Sequence, residues 1–205
     1  MKIWEKYHMH LKTGEWHIHT THTDGLSTID EYCQKARELG VPLLAFTEHV
    51  RHNLNYNFED FLCEIDDAKE RYTDLIILSG CEAKVLPDGT LDVDDEILNS
   101  VDYPIFAYHS FPKDADLVVE TVLTIIRDYP INTWAHPGSF VQKNNLNLKK
   151  DDLNIIFEKM KMSKILLEIN KKHAVPTQEW LDIANTRRVM TVKGSDCHSS
   201  SHLTH

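Results

Sequence analysis

Glu15-Trp16-His17-Ile18-His19-Thr20, followed a short loop later by Asp24-Gly25, reads as a strand that ends in two histidines spaced by two. Alternate residues of a strand share a face, so His17 and His19 point one way together and Ile18 points the other. The same figure returns near the far end of the chain, where Asp196 and His198 flank Cys197 after the apolar run 189–194. Between the two lie further strand candidates at 42–47, 75–80, 103–109, 131–136 and 165–170. Counting the first strand from residue 15, the starts recur about every 24 to 34 residues, the length of one strand-plus-helix unit.

Helical patterns fill the gaps. Ile29, Tyr32, Cys33, Ala36 and Leu39 follow the i, i+3, i+4, i+7 rule behind Ser27-x-x-Asp30, a capping-box spacing. Phe58, Phe61, Leu62, Ile65, Ala68 and Tyr72 make a second apolar stripe, and Leu117, Val118, Val122 and Ile125 a third behind Asp114. Leu153, Ile156, Phe157 and Met160 follow Asp151-Asp152, and Trp180 and Ala184 follow Pro176-Thr177. Alternating strands and helices imply a parallel sheet, either open or closed into a barrel. Gly-x-Gly-x-x-Gly is absent after the first strand, which argues against a dinucleotide-binding sheet. Seven units in 205 residues point to a distorted TIM-like (β/α)7 barrel, because eight-stranded barrels usually need more chain.

Composition limits what such a barrel does. With 22 Lys+Arg against 32 Asp+Glu, the formal charge is -10, which repels nucleic-acid phosphates over most of the surface. No linker or low-complexity block divides the chain, so residues 1–205 read as one domain. No run approaches the ~18 apolar residues of a membrane span, and Met1-Lys2-Ile3-Trp4-Glu5-Lys6 lacks a signal-peptide core, so a cytoplasmic home is expected. Cys33, Cys63, Cys81 and Cys197 lack Cys-x-x-Cys spacing and read as reduced, buried thiols. Thirteen histidines in so acidic a chain suggest hard and borderline metal ions.

The metal-capable residues fall at strand ends. His17 and His19 close the first candidate strand, His49 follows the second and Glu82 the third; His109 ends the fourth, His136 the fifth, and Asp196 and His198 follow the seventh. C-terminal strand ends of a parallel barrel converge on one mouth, where barrel enzymes carry their sites. Asp24 reaches back over that mouth from its loop, although Asp-Gly is also an ordinary turn.

These motifs resemble the PHP (polymerase and histidinol phosphatase) family. The resemblance rests on His17-Ile18-His19-Thr20 with Asp24-Gly25, Thr47-Glu48-His49, Gly80-Cys81-Glu82, Tyr108-His109-Ser110, Ala135-His136-Pro137-Gly138 and Gly194-Ser195-Asp196-Cys197-His198, in family order. Pro87-Asp88-Gly89-Thr90-Leu91-Asp92 looks most like the branch of small standalone phosphatases and family X DNA polymerases. The resemblance implies a centre of three divalent or mixed-valence ions (zinc, manganese or iron). One ion would take His17, His19, Glu82 and Asp196, a second would share Glu82 with His109 and His136, and a third would take Asp24, His49 and His198. Glu48, where the family usually has Asp, is expected to orient a ligand rather than to be one.

Such a centre suits hydrolysis of small phosphate monoesters by a hydroxide that bridges two ions, with Glu82 and His109 indispensable to turnover. Arg51, two residues past His49, is the first candidate clamp for the phosphate; Lys84 and Lys172 are weaker ones, and Asn170 ends the only strand without a ligand. The alternatives are a 3'-5' exonuclease or other nucleic-acid phosphodiesterase, disfavoured by the charge balance, and a non-catalytic metal-bearing regulatory domain. His8-Met9-His10 repeats the His-x-His spacing but precedes the first strand, and His202 and His205 lie in a serine-rich tail. His22 reads as an entrance-loop residue, and His52 and His173 as loop histidines without an assigned part. No membrane partner is expected, and the oligomeric state is open.

Overall fold

The computed structural model describes residues 1–204; His205 lies outside the described residues. Seven parallel strands stand in the order β1 to β7: β1 (Glu15–Ile18), β2 (Leu43–Val50), β3 (Ile76–Lys84), β4 (Tyr103–Ala107), β5 (Thr133–Trp134), β6 (Leu166–Ile169) and β7 (Thr191–Lys193). Just past β7, Cys197 bridges in parallel to Ile18 and draws the last segment onto β1: Cys197 N donates to His17 O and His19 N to Cys197 O, both at 2.9 Å. The sheet is therefore nearly closed, a distorted (β/α)7 barrel as expected.

Strand limits differ from the periodic reading. β2 and β3 pair in unbroken register from Leu43 opposite Ile76 to Val50 opposite Ala83, so His49 and Glu82 lie within strands rather than beyond them. β5 keeps only two ladder residues, and the chain leaves the ladder before His136.

The helices are α1 (Ile3–Lys6), α2 (Ile29–Leu39), α3 (Phe58–Arg71), α4 (Asp95–Ser100), α5 (Ala115–Asp128), α6 (Ser139–Lys143), α7 (Lys150–Met162) and α8 (Gln178–Arg187). The cap of α2 is Thr28 in a reciprocal box with Glu31, not Ser27, whose hydroxyl instead meets Ser200. Asp114 and Thr177 cap α5 and α8 by accepting from Leu117 N and Trp180 N. The short helices α1, α4 and α6 carry too few residues to show a period.

Two apolar layers result. Ile18, Phe46, Cys81, Phe106, Trp134 and Cys197 face outward into the layer under the helices. Trp16, Leu43, Leu78, Tyr103, Leu166 and Val192 fill the barrel interior, with Trp4 and Leu11 closing the bottom. β1 advances three residues against two of β2 between the pairs Glu15–Leu44 and Ile18–Phe46. That bulge lets Trp16 enter the inner layer and the next residue, His17, still face the mouth. Cys33, Cys81 and Cys197 are buried free thiols as expected, but Cys63 is exposed on α3. Among the described residues no helix is long and apolar enough to cross a membrane.

Candidate metal centre

The eight strand-end residues and Asp24 of the β1 loop meet at one mouth. His17 Nε2 and His19 Nε2 lie 3.1 Å apart. His17 Nε2 is 3.6 Å from Glu82 Oε1 and 3.7 Å from Asp196 Oδ1, and His19 Nε2 is 3.5 Å from Glu82 Oε2 and 3.3 Å from Asp196 Oδ1. Tetrahedral ligands bound at about 2.0–2.1 Å stand about 3.3–3.4 Å from one another, so the contacts of the two histidines have the spacing of coordination-shell edges. His17, His19 and Glu82 are mutually close, and Asp196 stands beside both histidines. His136 Nε2 lies 2.8 Å from Glu82 Oε1, His109 Nε2 3.5 Å from Oε2, and His49 Nδ1 2.9 Å from Oε2. On the outer side, Asp24 brings Oδ2 within 3.5 Å of His49 Nε2 and Oδ1 within 3.2 Å of His198 Nε2.

The donor atoms form three overlapping groups: His17, His19 and Glu82; His49, Glu82 and His109; and His19, Asp24, His49 and His198. His49 thus bridges two groups, which its strand position did not foretell. Its Nδ1, Glu82 Oε2 and His19 Nδ1 are buried without a hydrogen-bond partner, the short approach of His49 to Glu82 lacking hydrogen-bond geometry. Buried polar atoms are rarely left so, and a cation between them would satisfy the Glu82 and His49 pair. The donor set of imidazoles and carboxylates fits a borderline divalent ion.

Without an ion the acids are ionised and His19 is neutral, whereas against their burial Glu168 and Glu82 raise His17 and Glu82 raises His49 and His136. An ion bound there would displace those protons. Burial by itself would raise Glu82, but the His109 and His17 imidazoles outweigh it and hold the carboxyl well below the usual range. Asp196 is likewise held down against its burial by His173, His19 and His17. Desolvation pushes His19 down to about 3, so it presents a neutral ring. Ionised acids and neutral imidazoles are the forms that ligate metals.

Several side chains hold the donors in place. Glu168, buried on β6, accepts from His17 Nδ1 at 2.8 Å, from His136 N at 3.1 Å and from Asn170 Nδ2 at 2.8 Å. This fixes Nε2 as the free donor of His17, and the carboxylate raises that ring's basicity. Gly194 makes room for it, since a Cβ there would stand 2.7 Å from Glu168 Cδ. Gly25 has a similar part: a Cβ would fall 2.2 Å from His19 O, so only glycine lets the loop fold back and hang Asp24 over the mouth. Glu48 accepts from Thr20 N at 2.8 Å and from the Thr23 hydroxyl, so it holds the loop that carries Asp24 and is not itself among the clustered donors. His136 and Asp196 adopt left-handed backbone, φ 29° and 51°. Such strain persists only where surrounding contacts enforce it.

The remaining candidates divide. Arg51 does not line the mouth cavity: Asp92 Oδ2, 3.7 Å from its Nε, and the Val50 carbonyl draw the guanidinium aside. His52 turns to Asp94, and Lys84 also lies outside the cavity lining. Lys172 does line it, with Nζ 2.8 Å from Asp196 Oδ2 and 2.9 Å from Asp196 O. Asn170 supports Glu168 and accepts from His173 N. His173 Nε2 meets Asp196 Oδ2 at 2.8 Å, a role the sequence reading left unassigned. His22 is tied to Glu64 of α3, and His8 and His10 sit in a 3-10 turn ahead of β1. His202 lies in a second such turn, outside the donor groups.

Barrel and mouth together define a class, the metal-dependent phosphoesterases. The sequence matches the PHP domain over residues 15–173, and the chain belongs to that family. The DNA polymerase/3'-5' exonuclease PolX of Bacillus subtilis is 27% identical over 195 residues, covering 91% of this chain and 34% of the polymerase. A probable phosphatase of Clostridium acetobutylicum is 22% identical over 197 residues, covering 90% of this chain and 78% of that protein. This chain thus spans about a third of the polymerase and about three-quarters of the phosphatase. Histidinol phosphate phosphatase of Lactococcus lactis, solved with zinc, L-histidinol and phosphate, superposes with a TM-score of 0.72 at 16% identity, covering 92% of this chain and 88% of the other.

Proposed function

We propose that this chain is a single-domain phosphatase that hydrolyses small phosphate monoesters at a trinuclear centre. The observation that carries the proposal is that His17 and His19 stand 3.1–3.7 Å from each other and from Glu82 and Asp196. Those four would hold one ion, Glu82 with His109 and His136 a second, and Asp24 with His49 and His198 a third. Divalent ions, when bound, bind phosphate oxygens, acidify a water and neutralise the leaving oxygen. Glu168 keeps His17 in one tautomer, and Lys172 and His173 keep Asp196 turned toward His19. Lys172 takes the place that Arg51 was expected to fill as a cation beside the phosphate. The mouth cavity, of about 300 Å³, suits a small ester.

The likeness to a zinc-bound histidinol phosphate phosphatase and to probable phosphatases supports this reading over a nuclease. The polymerase relative keeps the nuclease as the second reading, at 27% identity. Phosphate release from p-nitrophenyl phosphate and metabolite monoesters, measured with zinc, manganese or iron, tests the proposal. Monoester turnover with an intact labelled oligonucleotide supports it; shortening of the oligonucleotide without monoester turnover overturns it, and so does no turnover at full metal occupancy.

A further inference from the structure

Above the donor atoms the mouth cavity has walls of different chemistry. Its aromatic side is Tyr108 and Phe140, backed by Phe111, with ring centroids 4.9 Å apart for Tyr108 and Phe111 and 6.0 Å for Phe111 and Phe140. Its charged rim carries two ammonium groups, Lys172 on the turn after β6 and Lys143 at the end of α6. Lys172 is already engaged with Asp196, whereas Lys143 is exposed and makes no hydrogen bond or ion pair among the described residues.

Two carboxylates line the cavity, and both are spoken for. Asp24 is turned onto His49 and His198, and Asp196 onto His19, Lys172 and His173. Each acid of the lining is thus already paired, Asp24 with imidazoles although its side chain stays exposed, while the Lys143 ammonium is the cation of the lining without a partner among the described residues.

We infer that Lys143 is the specificity-determining residue of this site, and that it selects phosphate esters whose alcohol portion carries a second anionic group, a carboxylate or another phosphate. The carbon skeleton packs on Phe140 and Tyr108, the scissile phosphate lies over the histidines, and the second anion meets the Lys143 ammonium. Esters with an ammonium-bearing alcohol, such as histidinol phosphate, are selected against by the same charge. The inference rests on the phosphatase reading above for its scissile group, but its charge preference is measurable without turnover.

Three phosphonates that cannot be hydrolysed separate the effects: 3-phosphonopropionate, propylphosphonate and 2-aminoethylphosphonate, titrated calorimetrically into the zinc-loaded protein. The wild type should bind the carboxylate compound about fivefold more tightly than the neutral one, the worth of a well-placed exposed ion pair, and the amine compound most weakly. Lys143→Ala should bring the first ratio close to one, Lys143→Arg should restore it, and both should keep the wild-type zinc content. Equal binding of all three by the wild type, a preference that survives Lys143→Ala, or no binding of any of them overturns the inference. A charge preference without hydrolysis of any monoester would uphold the inference while removing the phosphatase reading.

Discussion

Along β3 the inward residues change character within one strand: Leu78 belongs to the apolar interior, Gly80 follows, and Glu82 is the carboxylate on which His17, His49, His109 and His136 converge. β1 makes the same change in a single step, from Trp16 in the inner layer to His17 in the mouth. The lower half of the barrel is a packed apolar plug closed by Trp4 and Leu11, and the upper half gathers buried acids and imidazoles that repay their desolvation only through one another or a cation. Burial alone therefore does not mark a stabilising residue in this molecule. Below the mouth it reports packing, and at the mouth it reports charge held ready.

If that division is right, substitutions at the two ends should fail differently. The largest effect is expected for Glu82→Ala, which removes the acid shared by the proposed ions: turnover should fall by about a thousandfold or more, with metal content reduced on mass spectrometry. Normal turnover with metals still bound would end the bridging role. Leu43→Ala at the plug should instead cost about 2–5 kcal/mol in denaturant unfolding while leaving the turnover of folded molecules unchanged. Glu168→Gln sharpens the boundary, because it keeps the volume and loses the charge that orients His17; a loss of about 10–100-fold in metal affinity or activity is expected. Chelation should lower the melting temperature and re-addition of metal restore it, since an ion that binds only the folded state stabilises it. The smallest effect belongs to His8→Ala and His10→Ala, where stability should stay within about 0.5 kcal/mol and activity should not change.

The mouth was legible in the sequence because parallel strands deliver their C-terminal residues to one end, so His17, His19, Glu82, His109, His136, Asp196 and His198 could be placed without coordinates. Lengths of β2 and β3 were not legible, because each ladder ends where its neighbour stops offering partners, a property of the pair and not of either strand. Glu168 went unread although a signal was present: an acid between Leu166-Leu167 and Ile169 in an apolar strand must be buried, and a buried acid needs partners. Lys143 had no signal, since α6 spans five residues and only the fold brings its end to the cavity. Arg51 misled because it lies just past the end of β2, where the alternation that aims His49 no longer sets the direction of a side chain that Asp92 captures.

The contact between Gly194 and Glu168 links two positions 26 residues apart in sequence. A methyl group at 194 would push the acid away from His17, and shortening the acid to aspartate would draw it back. Each change alone is expected to disturb the bond to His17, and Gly194→Ala with Glu168→Asp to disturb it less than the sum of the two, as metal content of the three variants would read. Descendants of this barrel are thus expected to alter the two positions in concert, so that whatever stands at one can be guessed from the other.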